Sequence, residues 1–135
     1  MSSILEEVYI ISKVELSAST VSLRSDGIMH LDLHPKTELT LKDGWEIIKT
    51  IGEIGGGKKF PNMLTAKGFL NVHKDARALS ASEGGNEFTL ADALVVNSTA
   101  IKLIANFYIS FNKPVRPTKL FNSEQKAVEW LKTFL

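Results

Sequence analysis

The stretch from Ala91 to Phe121 reads ADALVVNSTAIKLIANFYISFNKPVRPTKLF, and it decides the fold. Its apolar run from Ala93 to Val96 is too short for a helix and predicts a buried strand. Apolar residues then recur at helical spacing from Thr99 to Phe111, and the proline after Lys113 predicts the end of that helix. A second strand is predicted over Thr118 to Phe121. Strand, helix and strand within about thirty residues is typical of a right-handed βαβ unit with parallel strands.

Length and composition indicate one soluble globular domain. The chain has 135 residues, of which 44% are hydrophobic and 23% charged, so we expect a single domain over residues 1–135. A net charge of +1 spread along the chain gives no electrostatic footprint for nucleic acid. The sequence has no cysteine, which excludes disulfide bonds, thiolate metal sites and cysteine nucleophiles.

The segments that would direct a chain to a membrane are missing from this sequence. No apolar stretch approaches transmembrane length, and the N-terminus lacks a basic region followed by an apolar one. We therefore expect a cytoplasmic protein without integral membrane contact.

The first part of the chain is typical of an antiparallel meander. Segments Val8–Leu16 and Thr20–Asp32 are rich in β-branched and aliphatic residues, and Ser25–Gly27 is a turn signal. A three-residue loop with Gly27 in the left-handed conformation pairs apolar with apolar positions: Leu23 with Met29 and Val21 with Leu31. A two-residue loop would mix the two faces, which a half-buried sheet resists.

The remaining elements alternate between helix and strand. Thr40 to Asp43 resembles a capping box, and the helix that follows is expected to end at Gly55–Gly57. Its apolar stripe is predicted as Leu41, Trp45, Ile48, Ile51 and Ile54. Then come strand Phe60–Ala66, helix Asp75–Ser82, the βαβ unit and a last helix capped by Asn122 or Ser123. This order predicts an α/β fold: a mixed, mainly parallel sheet with an antiparallel N-terminal meander and four helices.

Three stretches resemble the STAS-like, or SpoIIAA-like, family of small bacterial domains. They are MLTAKGFLNVHKD at Met63–Asp75, LFNSEQKAVEWL at Leu120–Leu131 and the central segment from Val96 to Thr118, which is similar to an uncharacterised bacterial subgroup. The resemblance implies a SpoIIAA-like fold and a non-enzymatic regulatory role, since the type members are antagonists of anti-sigma factors. In those members a serine in the loop before a helix is phosphorylated. Here the matching positions are His73 and Lys74, so the resemblance does not extend to the phospho-switch.

A partner-binding surface is expected near the strand ends. The candidates are His73, Lys74, Arg77, Asn97, Ser98 and Thr99, and the partner is another protein or a second copy in a homodimer. An anion at Ser98 would suit a helix N-terminus. Ordinary capping by Asn97 or Ser98 explains these residues without a ligand, and it is the favoured interpretation of that pair.

The alternative function is binding of a small molecule or lipid in an apolar pocket beside the helix 99–111. Its candidate residues are Ile104, Phe107, Tyr108 and Phe111. Most of this aromatic surface, together with Trp45 and Trp130, is expected in the core. If the apolar arc exceeds what the sheet covers, the surplus forms a pocket or a subunit interface.

The sequence gives weaker support for a metal, phosphate or catalytic site. His30, Asp32 and His34 alternate along one strand and could ligate zinc, but the favoured interpretation is the solvent-facing side of an edge hairpin, opposite Ser22 and Thr20. Gly55–Lys59 follows a helix instead of preceding one, so it fits a helix cap better than a phosphate loop. The sequence has no Gly-x-Ser-x-Gly elbow, no His-Glu-x-x-His and no recognisable acid pair. We therefore expect no enzyme activity and no cofactor.

Overall fold

A computed structural model describes residues 7–66, 68 and 70–135, and their side chains except at positions 36, 37 and 70. The strands are β1 (Ile10–Glu15), β2 (Ser19–Arg24), β3 (Met29–Leu33), β4 (Lys36–Leu39), β5 (Phe60–Ala66), β6 (Leu70–Val72), β7 (Thr89–Val95) and β8 (Thr118–Phe121). The α-helices are α1 (Leu41–Ile54), α2 (Lys74–Ala81), α3 (Thr99–Phe107) and α4 (Glu124–Leu131). The expectations for residues 1–6, and for Lys67 and Phe69 in the first family-like stretch, lie outside the described residues.

Six strands form one sheet in the order β1-β2-β3-β5-β7-β8. The pairs among β1, β2 and β3 are antiparallel, and every later pair in this sheet is parallel. Leu94 of β7 pairs with Leu120 of β8 in that parallel register. The predicted mixed sheet with an antiparallel N-terminal meander is confirmed.

The β2–β3 hairpin has the predicted three-residue loop. Gly27 has a φ of 85°, and the Arg24 N–H donates to the Ile28 carbonyl at 2.9 Å. The Cα register sets Leu23 opposite Met29 and Val21 opposite Leu31, as predicted. Burial of these paired apolar side chains selects this loop, because a register shifted by one residue would turn them to the other face.

A second, two-stranded parallel sheet pairs β4 with β6, and the sequence analysis missed both strands. Each is short, four residues in β4 and three in β6. Alternation of apolar and polar residues cannot be recognised over so few positions.

Helices cover both faces of the large sheet. Against one face, Ile47 and Ile51 of α1 pack on Val21, Met29 and Leu31. Against the other, α4 packs on β5 and β7 through a second core formed by Ile28, Met63, Ala91, Ala93, Ala127 and Leu131. Within the described part of the chain, no helix is long and apolar enough to cross a membrane.

The predicted apolar stripe of α1 was partly wrong. Ile51 is buried, but Trp45 is 50% exposed and Leu41 is also exposed. The helix turns Ile47 and Thr50 to the core, and the Thr50 hydroxyl is satisfied by donating to the Glu46 carbonyl at 2.8 Å. Helical spacing alone did not identify the buried face, because apolar residues occur on more than one side of this helix.

The βαβ unit continues past α3 in a π-helical turn, Tyr108–Asn112. The Ser98 side chain caps α3 by accepting from the Ile101 N–H at 3.2 Å. After the π turn, Lys113 has a φ of 51°, a left-handed conformation, and Pro114 follows it. The helical segment therefore ends where the proline predicts.

A Thr40→Ala variant should lose about 1 kcal/mol of unfolding free energy. Thr40 Oγ1 accepts from the Asp43 N–H at 3.2 Å, and the Thr40 N–H donates to the Asp43 carboxylate at 2.9 Å. Urea unfolding followed by circular dichroism measures the loss. Thr40→Ser keeps the hydroxyl and should retain most of the stability; an equal loss in both variants would show that the cap does not stabilise α1.

Candidate functional site

A cavity of about 210 Å³ lies between the large sheet and the helices α1, α2 and α3. Most of its wall is aliphatic. The sheet contributes Leu31, Leu64 and Leu94, and the helices contribute Ile47, Ile48, Ile51, Leu79, Ile101 and Ile104. The space is large enough for a small organic molecule, and its wall is mainly apolar.

Strand alternation and short side chains together create this space. Successive residues on a strand point to opposite faces, so Met63 faces α4 while Asn62 and Leu64 face the cavity. On the helical side, Ala76 and Ala105 form part of the wall. The short side chains of Asn62, Ala76 and Ala105 leave volume that larger apolar residues would fill.

Asn62 is the most buried polar group of the cavity wall that has an unused acceptor. The residue is 3% exposed, and its Nδ2 donates to Thr89 Oγ1 at 2.9 Å. Its Oδ1 is buried and has no hydrogen-bond partner among the described residues. An unsatisfied buried acceptor costs about 1 to 3 kcal/mol, so this oxygen is a place where a ligand donor would gain free energy.

Asp92 lies beside Asn62, because the two residues are partners in the parallel β5–β7 register. Its carboxyl group contributes to the cavity wall. Burial raises the pKa of Asp92 to about 7, and a hydrogen bond from the Asn62 side chain offsets part of that increase. The carboxyl group therefore changes charge near neutral pH inside a largely apolar enclosure.

Tyr108 adds a hydroxyl group to the same enclosure. Its O–H donates to Ser80 Oγ at 3.0 Å, which joins the π turn to α2. Burial raises the pKa of Tyr108 to about 12; the Ser80 hydrogen bond opposes this rise, and the charge of Asp92 adds to it. The phenol is therefore neutral over the physiological pH range and its proton is already committed to Ser80.

Arg77 places a cation in the cavity wall, but its guanidinium is directed at other groups. An Nη1 N–H donates to the Val72 carbonyl at 2.7 Å. The guanidinium carbon also lies 5.8 Å from the centroid of the Phe107 ring, which is a cation–π distance. The Arg77 Nε atom is buried without a partner among the described residues.

The four predicted pocket residues are divided between the cavity and the surface. Ile104 and Tyr108 line the cavity. Phe107 and Phe111 stack on each other outside it, with ring centroids 5.0 Å apart, and are 49% and 64% exposed. The expectation that most of the aromatic surface is core was wrong for these two residues and for Trp45 of α1. Trp130, in contrast, packs between Phe121 and Phe134.

The predicted partner-binding residues flank the starts of α2 and α3. His73 precedes α2 and its Nε2 lies 3.3 Å from Glu38 Oε2, and Lys74 is exposed. Asn97 and Thr99 are exposed on either side of the capping Ser98. Arg77 differs from this group because it forms part of the cavity wall.

The histidine strand makes contacts with hydroxyl groups. His30 Nε2 lies 2.8 Å from Thr65 Oγ1, whose proton is donated to Asp32 at 2.7 Å, and His34 Nε2 lies 2.7 Å from Thr20 Oγ1. Among the described residues, no group of three His, Cys, Asp or Glu side chains could hold a metal ion. The expectation that these residues lie on an edge hairpin was wrong, and the three side chains are only partly exposed. β2 and β3 lie inside the sheet, and Ser22, opposite His30, is buried.

The glycine-rich segment after α1 forms a helix terminus. Gly55 is the C-cap residue, and Gly56 and Gly57 have φ values of 64° and 79°. This conformation is the helix cap that the sequence indicated, with Lys58 and Lys59 exposed after it.

Sequence reasoning missed the two residues that define the polar end of the cavity, Asn62 and Asp92. A signal was present, since each is a polar residue inside a strand that otherwise indicates burial, FPNMLTA and TLADALV. Polar residues at inward positions of buried parallel strands are unusual and mark a site or a hydrogen-bonded pair.

Fold and site together define a small mixed α/β domain with a ligand-sized cavity between its sheet and three of its helices. The family model described as "Domain of unknown function (DUF7793)" matches residues 21–135, and the chain belongs to that family. A search of curated proteins finds no match.

Two solved structures are similar to the chain. One is an uncharacterised protein of the DUF3478 family from Shewanella loihica PV-4, described as having a SpoIIAA-like fold. It is 16% identical, the match covers 97% of this chain and 98% of that one, and the TM-score is 0.48. The other is a protein of unknown function from Arthrobacter sp. FB24, 22% identical, with 82% and 96% of the two chains covered and a TM-score of 0.32.

The Asp92 carboxyl should make the stability of the fold depend on pH. Its pKa is about 7 in the folded chain against an ordinary value of 3.8, so the folded state holds a proton that the unfolded state has released between these values. Stability therefore falls as pH rises toward 7 and is constant above it. From pH 5 to pH 8 the fall is roughly 3 kcal/mol.

Urea unfolding at pH 5 and pH 8 gives the change in unfolding free energy with pH for the wild type and for Asp92→Asn. The difference between the two changes is the contribution of the Asp92 carboxyl group. The exposed Glu129, replaced by Gln, provides a matched control that should leave the wild-type profile unchanged. If Asp92→Asn follows the wild type at both pH values, the carboxyl is not held in its neutral form by burial.

Proposed function

We propose that this domain binds a small, largely apolar molecule in the cavity between the sheet and the helices α1, α2 and α3. The observation that carries the proposal is the unpartnered, buried Oδ1 of Asn62, a residue in the wall of a largely aliphatic cavity. Protein interiors satisfy nearly all buried polar atoms, so an unpartnered acceptor on a residue that lines a cavity is a feature expected of a ligand site.

The cavity volume bounds the size of the ligand. An apolar cavity of about 150 Å³ accommodates benzene. Scaled to 210 Å³, the same packing admits about eight non-hydrogen atoms. The proposed ligand is therefore a small aromatic or short aliphatic molecule, and a long-chain lipid would have to extend out of the enclosure.

The apolar wall of this space also supports binding. A molecule that fills the space gains free energy through dispersion contacts and removal of its own apolar surface from water. The folded domain with a ligand is then more stable than the folded domain alone.

We infer that the ligand is held without being transformed. The described cavity wall contains one carboxyl group, Asp92, and no histidine. General acid–base catalysis needs groups free to transfer a proton within hydrogen-bond reach of the ligand, and the other titratable side chains of the described wall, Tyr108 and Arg77, already donate to Ser80 and to the Val72 carbonyl. Asp92 and Asn62 are better suited to hold a polar substituent.

Ethylbenzene should stabilise the wild-type domain, and filling the cavity should abolish that effect. At ten times its dissociation constant, a ligand adds about 1.4 kcal/mol, or roughly 4 °C in melting temperature. Ala105→Phe places a ring in the cavity, since Ala105 is buried in its wall. Differential scanning fluorimetry measures the shift in both proteins.

The matched control is Ala100→Phe, because Ala100 is exposed on the same helix. It should keep the full ethylbenzene shift. Ala105→Leu adds less volume and serves if the phenylalanine variant does not fold. Equal shifts in wild type, Ala105→Phe and Ala105→Leu would place ethylbenzene elsewhere and refute the cavity as its site.

A second candidate function, association with another copy of the chain, has its own observation. Leu103, Phe107 and Phe111 lie one helical turn apart and are 67%, 49% and 64% exposed; we name them the exposed stripe. In a symmetric dimer, the same helix face of two copies of the chain can pair about a two-fold axis. The stripe would supply the apolar centre of such an interface, and Arg77 of α2, whose guanidinium lies 5.8 Å from the Phe107 ring centroid, borders it.

Phe107→Ser combined with Phe111→Ser should convert a dimer to a monomer if the exposed stripe forms its interface. Burial of each ring contributes about 1.5 to 3 kcal/mol, so loss of both should weaken association more than a hundredfold. Analytical ultracentrifugation over a concentration series gives the constant. Trp45→Ser removes an exposed aromatic from α1 as the control. A wild type that remains monomeric at the highest concentration would exclude self-association through this stripe.

A further inference from the structure

We propose that the polar end of the cavity recognises a protonated amine, so that the ligand is a small apolar molecule whose ammonium group donates to Asn62 Oδ1 and to the Asp92 carboxylate. The inference rests on the proposed function, because it concerns the chemistry of the molecule held in the same cavity. It specifies which substituent the polar end selects and which it rejects.

The geometry of the two acceptors suits a single donor group. Asn62 and Asp92 are register partners on adjacent parallel strands, β5 and β7. Neighbouring strands lie about 4.8 Å apart, so one nitrogen can reach an oxygen of each side chain at an ordinary hydrogen-bond distance. An ammonium group has several N–H donors and no acceptor, and therefore matches a pair of oxygen acceptors.

The charge balance of the cavity points in the same direction. Asp92 is the acid of the described wall, and its neighbours do not neutralise it: Arg77 of α2 is directed to the Val72 carbonyl and the Phe107 ring. Tyr108, from the turn after α3, is neutral and donates to Ser80. The wall residues from α1 are Gly44 and three isoleucines, which carry no charge. A ligand cation would supply the missing positive charge, and an anion would be repelled by Asp92.

The protonation of Asp92 gives this recognition a pH dependence. A protonated carboxyl can donate its O–H to Asn62 Oδ1, which satisfies both groups internally and removes the acceptors from the ligand. Ionisation removes that donor from Asn62 Oδ1, and the Asp92 carboxylate, which accepts from the Asn62 side chain, has further lone pairs for the amine. Since the pKa of Asp92 is about 7, the ionised fraction rises about tenfold from pH 6 to pH 8.

The rest of the ligand must be apolar because of what lies along the strands. From Asn62, β5 continues through Leu64 to Ala66, and from Asp92, β7 continues through Leu94; all of these residues line the cavity. Four residues of strand span about 13 Å, which leaves room for a ring or a short alkyl chain beyond the ammonium group. These aliphatic side chains provide no partner for a second polar substituent.

Three probes of equal non-hydrogen atom count separate this inference from the proposed function: benzylamine, benzyl alcohol and ethylbenzene. Titration calorimetry at about pH 6 and about pH 8 gives each dissociation constant. Benzylamine is protonated at both pH values, and its affinity should rise about tenfold between them. The two neutral probes should bind more weakly at pH 8 without a comparable rise. Asp92→Asn should lose the pH-dependent part of benzylamine binding and keep ethylbenzene binding.

The outcomes distinguish the two proposals. Equal, pH-independent binding of all three probes would retain the apolar site and overturn amine recognition. Phenylacetate serves as a fourth, anionic probe. If it binds in preference to benzylamine, amine recognition is overturned and Arg77 Nε is the donor that holds the ligand carboxylate. Failure of every probe to bind the wild type would overturn the proposed function and this inference together. Glu129→Gln, on the exposed face of α4, controls for a general effect of removing a negative charge.

Discussion

In the parallel pair of β5 with β7, Asn62 lies beside Asp92, and most other features of the cavity depend on that juxtaposition. Both strands are covered on their two faces, by α4 on one side and by the cavity and its helices on the other. A strand in that position normally carries apolar residues at every inward position. Two short polar side chains at neighbouring inward positions leave unfilled volume and include an unpartnered acceptor, and burial of one of them raises the pKa of its carboxyl group. The volume, the hydrogen-bond chemistry and the pH dependence thus have one structural cause.

This arrangement lowers the stability of the isolated domain, and the surrounding structure maintains it. The antiparallel half of the sheet buries Val21, Met29 and Leu31 against α1, while Met63, Ala93 and Leu131 form a closed core on the opposite face. Those two cores do not use the residues of the polar pair. Buried polar groups that weaken a fold persist where they serve a binding role and where the rest of the structure determines their positions. The destabilisation is confined to one layer, so the sheet keeps its order around it.

The fold could be predicted from the sequence where one local interaction dominates. The capping box at Thr40, the three-residue loop at Gly27 and the proline after Lys113 each act within a few residues, and the structure has all three. The buried face of α1 could not be predicted in the same way, because Trp45 and Ile47 are both apolar and only tertiary packing decides between them. The cavity could not be predicted from the sequence for a related reason. It depends on the register of β5 against β7 and on what three separate helices leave unfilled, and neither is encoded in a local spacing.

Helix α3 shows how one sequence pattern serves two surfaces. Its apolar residues extend around most of the helix, so Ile104, Ala105 and Tyr108 face the cavity while Leu103, Phe107 and Phe111 form the exposed stripe. A helix covered on one side by a sheet needs an apolar arc of only about 100°. The wider arc leaves large side chains in water, and Arg77 covers part of the Phe107 ring through its guanidinium. Because the cavity and the stripe use different side chains of α3, separate substitutions on a single helix can test the two candidate functions.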